Sequence, residues 1–141
     1  MSIRPRFAAR ILAGEKTIEL RRRKPQVPIG STVFIYSTMP SASLVGTFVI
    51  SRIDDLPLAS LWNVAKSTAA ISFQEFHAYF TGLQTGVAIS IANPTRFSQA
   101  IGLDALRTLW PGFRPPQSYR FLTSSERAAV ENHFESARTG R

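Results

Sequence analysis

Residues 14–24 read GEKTIELRRRK, with five basic side chains and two acids around a short segment that alternates with period two. In an extended chain successive side chains point to opposite faces. Ile18 and Leu20 therefore share one face, and Thr17, Glu19 and Arg21 share the other. The alternation predicts a strand with an apolar side on a core and a charged side facing a polar cleft. Just before it, RPRFAARILAG (4–14) reads as a short helix. Pro5 suits its first turn, Phe7, Ala8, Ile11 and Leu12 form its apolar stripe, and Gly14 is its expected stop. Arg6 and Arg10 lie away from that stripe.

Working outward, KPQVPIGST (24–32) is a turn-rich connection and TVFIYST (32–38) a β-prone strand. SLVGTFVISRI (43–53) is another strand, and its Gly46 signals a bulge or a close approach by a neighbouring segment. Two helices follow at 57–66 and 72–82, the second with a capping box of Ser72 and Glu75. TGVAISIANPTRF (85–97) returns to a strand, LDALRTLW (103–110) is a short helical piece, and PGFRPPQSYRFL (111–122) is extended and expected as a last strand. A final helix opens at the capping box Thr123 and Glu126, with Val130 and Phe134 on its inner face. This order predicts an α+β fold: a small, curved sheet or partly open barrel flanked by helices, with a helical insert.

The 141 residues fit one domain spanning 1–141, with a core over about 2–122 and a C-terminal helix over about 123–137. Net charge is +8, and residues 1–24 supply +6 of it, with eight basic groups against two acids. Arginine provides 14 of the 17 cations, and its planar fork suits phosphate and base edges. Such an excess favours a polyanionic partner through counterion release, or else forms a solvated basic surface with no partner. No apolar run is long enough to span a membrane, and the N-terminus does not read as a signal peptide. Cysteine is absent, which removes thiolate chemistry and suits a cytoplasmic location. His77 and His133 do not form a metal pattern, and His77 is expected as a half-buried structural residue among phenylalanines.

The segment FAARILAGEKTIELR, followed by VPIGSTVFIYST and a strand containing LVGTFVI, resembles the ASCH domain of the PUA-like superfamily. The matching motif is a helix ending in Gly-x-Lys-x-x-x-x-Arg, here Gly14, Lys16 and Arg21. FHAYFTG, GVAISI and RPPQSYRFL also look like the bacterial members described as predicted regulators, so the resemblance covers most of residues 2–122. It implies a partly open β-barrel with helices beside it and a cleft between barrel and helix. It also implies nucleic-acid binding, with some members being small amidohydrolases of acylated cytidine nucleosides or weak ribonucleases. In the members that resemble amidases, a threonine stands three residues after the motif lysine and a glutamate precedes the later helix. Here Glu19 takes the first place and KSTAAIS (66–72) contains no acid. A lysine without its nucleophile and acid is not a catalytic set.

The candidate nucleic-acid-binding residues are Lys16, Glu19, Arg21, Arg23, Tyr36, Ser37, Gln117 and Tyr119. Lys16, Arg21 and Arg23 would meet phosphate; Glu19, Ser37 (with Thr38 beside it) and Gln117 would contact a base edge; Tyr36 or Tyr119 would stack. The bland alternatives are an ion pair of Glu19 with Arg21 or Arg10, a solvated charge run, and tyrosines that simply fill the core. Trp110 is read chiefly as core. The favoured reading is a domain that binds RNA or DNA through a single-stranded or flipped nucleotide, leaning away from catalysis. No metal, organic cofactor or membrane contact is expected. The alternative is a hydrolase of a modified nucleoside or a weak ribonuclease, with Lys16 and Glu19 as candidate catalytic residues. A third reading makes residues 57–82 a protein-docking surface. The favoured reading requires Lys16, Arg21 and Tyr36 to share one recess.

Overall fold

The computed structural model describes the backbone of residues 1–139 and the side chains of residues 1–136. In chain order the elements are β1 (Ser2–Ile3), α1 (Pro5–Leu12), β2 (Ile18–Arg21), β3 (Thr32–Ser37), β4 (Ser43–Pro57), α2 (Leu58–Ala65), α3 (Phe73–Tyr79), β5 (Thr85–Gly102), α4 (Leu103–Leu109) and α5 (Ser124–Thr139). The fold is α+β, built on a five-stranded sheet in the order β1-β3-β4-β5-β2. The sheet is not closed, since β1 and β2 form its two edges.

Two long strands make the frame. β4 and β5 run antiparallel, pairing Ser43 with Gly102 at one end and Pro57 with Thr85 at the other. Register shifts at Leu44/Gly46, Thr47/Val49 and Ile50/Arg52 curl the ribbon, because each unpaired residue adds local twist. Pro94 falls in one such gap, between the pairs Ala92–Val49 and Thr95–Thr47, so its missing N–H breaks no ladder bond. Gly46 is required by a close approach: a Cβ there would lie 2.3 Å from the Thr95 carbonyl oxygen and 2.8 Å from Leu12 Cδ2.

Apolar clusters occupy three regions around this frame. Under α1, Ile11 packs with Ile35, Phe48 and Ile89. Ile18 and Leu20 of β2 pack with Leu61, Phe76 and Phe80 of the insert. At the far end Tyr36 and Leu44 pack with Leu106, Trp110 and Val130. The insert is thus mostly core: of its large apolar side chains only Val64 and Phe73 are exposed. That leaves residues 57–82 without the broad apolar face the docking reading needs.

The expected last strand at 111–122 does not form. Pro111, Pro115 and Pro116 supply no N–H for a ladder, and the segment instead gives its carbonyls to β1. The Ser2 N–H donates to Ser118 O at 2.8 Å, and the Ser2 hydroxyl to Pro116 O at 2.6 Å. β1 itself, parallel to β3 with Ser2 opposite Tyr36, is too short to show as a pattern in sequence. Both capping boxes form as expected, at Ser72/Glu75 and at Thr123/Glu126.

Candidate functional site

The C-terminus of α1 delivers Lys16. The helix stops at Ala13, Gly14 takes φ +79°, and the Glu15 and Lys16 N–H groups both donate to Arg10 O. Glycine adopts that left-handed backbone without the cost a Cβ would impose. The chain then enters β2, antiparallel to β5 with Glu19 opposite Ile89. Alternation sends Ile18 and Leu20 into the core under α2 and α3. Lys16, Glu19 and Arg21 line a recess of about 370 Å³ bordered by α1, β1, α3 and the 116–119 segment.

The charged groups here are buried together. Lys16 is 2% exposed and Glu19 6%. Lys16 Nζ donates to Ala69 O at 2.6 Å, lies 3.4 Å from Glu19 Oε1 and sits 4.7 Å from the centre of the Phe7 ring. An ammonium stripped of water costs several kcal/mol, and these three partners offset that cost. Burial still pulls the Lys16 ammonium below its ordinary pKa, against the opposing pull of Glu19. Arg21 Nη2 lies 3.1 Å from Glu19 Oε2 and donates to Ser2 O at 2.9 Å. Its Nε–H is buried with no acceptor among the described residues, and an unmet donor of this kind costs about 1–3 kcal/mol. Above these groups the Tyr79 hydroxyl donates to Leu20 O at 3.3 Å, and burial raises its pKa. An ion pair between Arg6 and Glu75 ties α1 to α3 beside the opening.

The expected residues divide between two places. Lys16, Glu19, Arg21 and Gln117 share the recess. Tyr36 does not: it is 4% exposed, its ring 6.0 Å from Phe113, and it fronts a separate recess with Tyr119. The requirement that Lys16, Arg21 and Tyr36 meet in one hollow is therefore corrected, because alternation along β3 puts Tyr36 on the same side as Phe34, against the cluster of Leu44, Trp110 and Val130 and away from the Lys16 recess. Ser37 is buried, and Thr38 lines the Lys16 recess in its place. The Tyr119 hydroxyl accepts from the Gln26 N–H at 3.0 Å. Arg23 is exposed and borders neither recess. Glu19 does pair with Arg21, as the bland reading expected, whereas Arg10 pairs with Glu15.

Sequence reasoning missed Arg4 and Tyr79 in the wall of the recess. Arg4 precedes α1, is exposed and makes no ion pair among the described residues. It belonged to the cationic N-terminal run, which was the available signal. Tyr79 sat in an aromatic-rich helix that reads as core.

Residues 1–103 match the ASCH domain. The chain belongs to the ASCH domain family. A relative from Zymomonas mobilis, an ASCH domain-containing ribonuclease, is 33% identical over 128 residues, covering 89% of this chain and 84% of that protein. The crystal structure of ASCH from Zymomonas mobilis superposes with a TM-score of 0.89 at 30% identity, over 94% of this chain and 92% of that one. A serine-to-alanine mutant from the same organism matches at 0.89 and 29% identity, over 94% and 93%. The likeness thus extends past the matched domain into α4 and α5, and the ASCH fold is PUA-like.

Proposed function

We propose that this ASCH domain binds single-stranded RNA across the Lys16 recess and cleaves it there. One observation carries the reading: Lys16 and Glu19, both buried, and Arg21, part-buried and paired with Glu19, line one ligand-sized hollow. A phosphate oxygen in that hollow is a natural acceptor for a guanidinium. Glu19 and Gln117 meet base or ribose groups, and Arg4, in the wall of the same recess, meets the same phosphate. Arg23, on the outer surface, adds only long-range attraction. The relative named a ribonuclease, similar over most of both chains, supports cleavage over binding alone and turns the reading away from a purely non-catalytic module.

The chemistry needs no more than these groups. Glu19 takes the proton of a ribose 2′-hydroxyl, whose oxygen attacks the adjacent phosphorus. Arg21 balances the charge that builds on the phosphate oxygens. The bond to the 5′-oxygen breaks as Lys16 protonates it, leaving a 2′,3′-cyclic phosphate and a free 5′-hydroxyl. Glu19 then returns its proton to Lys16, which lies 3.4 Å away. An ammonium with a lowered pKa is a better acid for this step.

The test is a matched pair of oligonucleotides, one all-ribose and one carrying 2′-deoxyribose throughout. Cleavage of the ribose strand alone, with a cyclic phosphate end, is expected. Cleavage of both at equal rates rejects the 2′-hydroxyl route, and binding of both with cleavage of neither leaves the domain a binding module.

A further inference from the structure

The recess that Tyr36 fronts has no part in the chemistry above, and its walls are unlike those of the Lys16 recess. It measures about 300 Å³ and is lined by Trp110, Phe113, Tyr119 and Phe121, with Arg120 and Arg127 at hand. We propose that this hollow is a stacking subsite for a nucleobase, taking the nucleotide next to the one held at Lys16; the inference rests on the proposed function.

Three observations carry it. The first is an exposed aromatic that lines the hollow itself. Phe121 is 63% exposed, its ring edge-on to Tyr119 at 6.0 Å. Apolar surface of that size is unfavourable in water until something flat covers it. The second is the company of cations. The Arg120 guanidinium lies 5.7 Å from the Trp110 ring and 5.4 Å from Phe113, and that of Arg127 lies 5.9 Å from Phe34. Arg120 also pairs with Glu126 at 2.7 Å and Arg127 with Glu131 at 3.2 Å, so the guanidiniums edge the aromatic platform while their charge is already balanced, an arrangement that fits a flat base.

The third is continuity. β1 and the 116–119 segment form a shared border between the hollows: Ser2 and Gln117 line the Lys16 recess, and Pro116 and Tyr119 line this one. Gln117 and Tyr119 are two residues apart, so their Cα atoms are separated by at most about 7 Å. One extended nucleotide spans such a step. A strand with its scissile phosphate at Arg21 therefore places an adjacent base beside Tyr119 and Phe121, and the aromatic hollow fixes which way the strand runs.

The experiment uses 2′-O-methyl oligonucleotides, which lack the attacking hydroxyl, as mononucleotide and dinucleotide ligands. Affinities are measured for the full chain and for Phe121→Ala, Arg127→Ala and Arg4→Ala. In the wild type the dinucleotide binds more tightly than the mononucleotide. In Phe121→Ala that ratio falls about ten-fold, within the range expected for losing one base–aromatic stack, and Arg127→Ala lowers it less. Arg4→Ala weakens both ligands and leaves the ratio intact. A ratio unchanged in both Phe121→Ala and Arg127→Ala, with Arg4→Ala still weakening binding, overturns the subsite alone. If Arg4→Ala has no effect on either ligand, the Lys16 recess is not the site and both readings fall.

Discussion

Glu19 holds two cations with one buried carboxylate: Oε1 lies 3.4 Å from Lys16 Nζ, and Oε2 lies 3.1 Å from Arg21 Nη2. This places the centre of the recess under unequal constraints. Removing Lys16 leaves Glu19 still paired with Arg21, whereas removing Glu19 strands two cations in a site of low polarity. Lys16→Met is expected to cost about 1–3 kcal/mol, and Glu19→Leu about 3–5 kcal/mol. Chemical denaturation of both variants checks the order, and a Lys16→Met loss larger than that of Glu19→Leu contradicts it.

Lys16 also sets a pH dependence. Burial lowers its pKa in the fold below the ordinary 10.5. Between the folded value and 10.5 the unfolded chain binds the proton that the folded chain has released, so stability rises with pH through that window. Tyr36 and Tyr79 act in the opposite sense above about pH 10, since burial raises both of their pKa values. The difference in stability between wild type and Lys16→Met isolates the lysine. It is expected to shift in favour of the wild type as pH rises towards 10.5, and a flat difference curve counts against a depressed lysine.

Arg4 and Arg23 separate recess contact from bulk charge. Arg4 lines the recess, and Arg23 stands outside it. Arg4→Ala is expected to weaken RNA binding and lower the slope of log affinity against log salt by about one. Arg23→Ala changes affinity much less. Equal effects at the two positions would mean that the ligand follows the charge field and not the hollow.

Gly46 tests the packing that places α1 over the sheet. Gly46→Ala drives a methyl to within 2.3 Å of Thr95 O and 2.8 Å of Leu12. A loss of about 1–3 kcal/mol is expected, with an RNA affinity drop following from the shift of α1. Wild-type stability in this variant would show that the strand contact is looser than described.

Much of this was legible in the chain itself. The period-two alternation of KTIELRR put Glu19 and Arg21 on the face away from the core, and Gly14 ended α1 where its position said it would. Both capping boxes announced helix starts, because their hydrogen bonds are local. The recess could not be assembled the same way. Ala69 O and Ser2 O reach Lys16 and Arg21 from 53 and 19 residues away in sequence, and no periodicity encodes such meetings. Tyr36 shows the limit most clearly. The resemblance grouped it with the Lys16 cleft, whereas β3 turns it with Phe34 onto the Leu44, Trp110 and Val130 cluster, and which recess a strand face meets depends on how distant elements pack over it. The 111–122 segment failed as a strand for the converse reason, its prolines having removed the donors a ladder needs.

The account turns on whether Glu19 takes the proton from the attacking hydroxyl. The most direct test is the single-turnover cleavage rate of a ribose oligonucleotide by wild type and Glu19→Gln, with binding of the same strand measured alongside. A fall of about 10²- to 10⁴-fold in rate, with binding kept within a few-fold, is predicted. Cleavage by Glu19→Gln at the wild-type rate would contradict it.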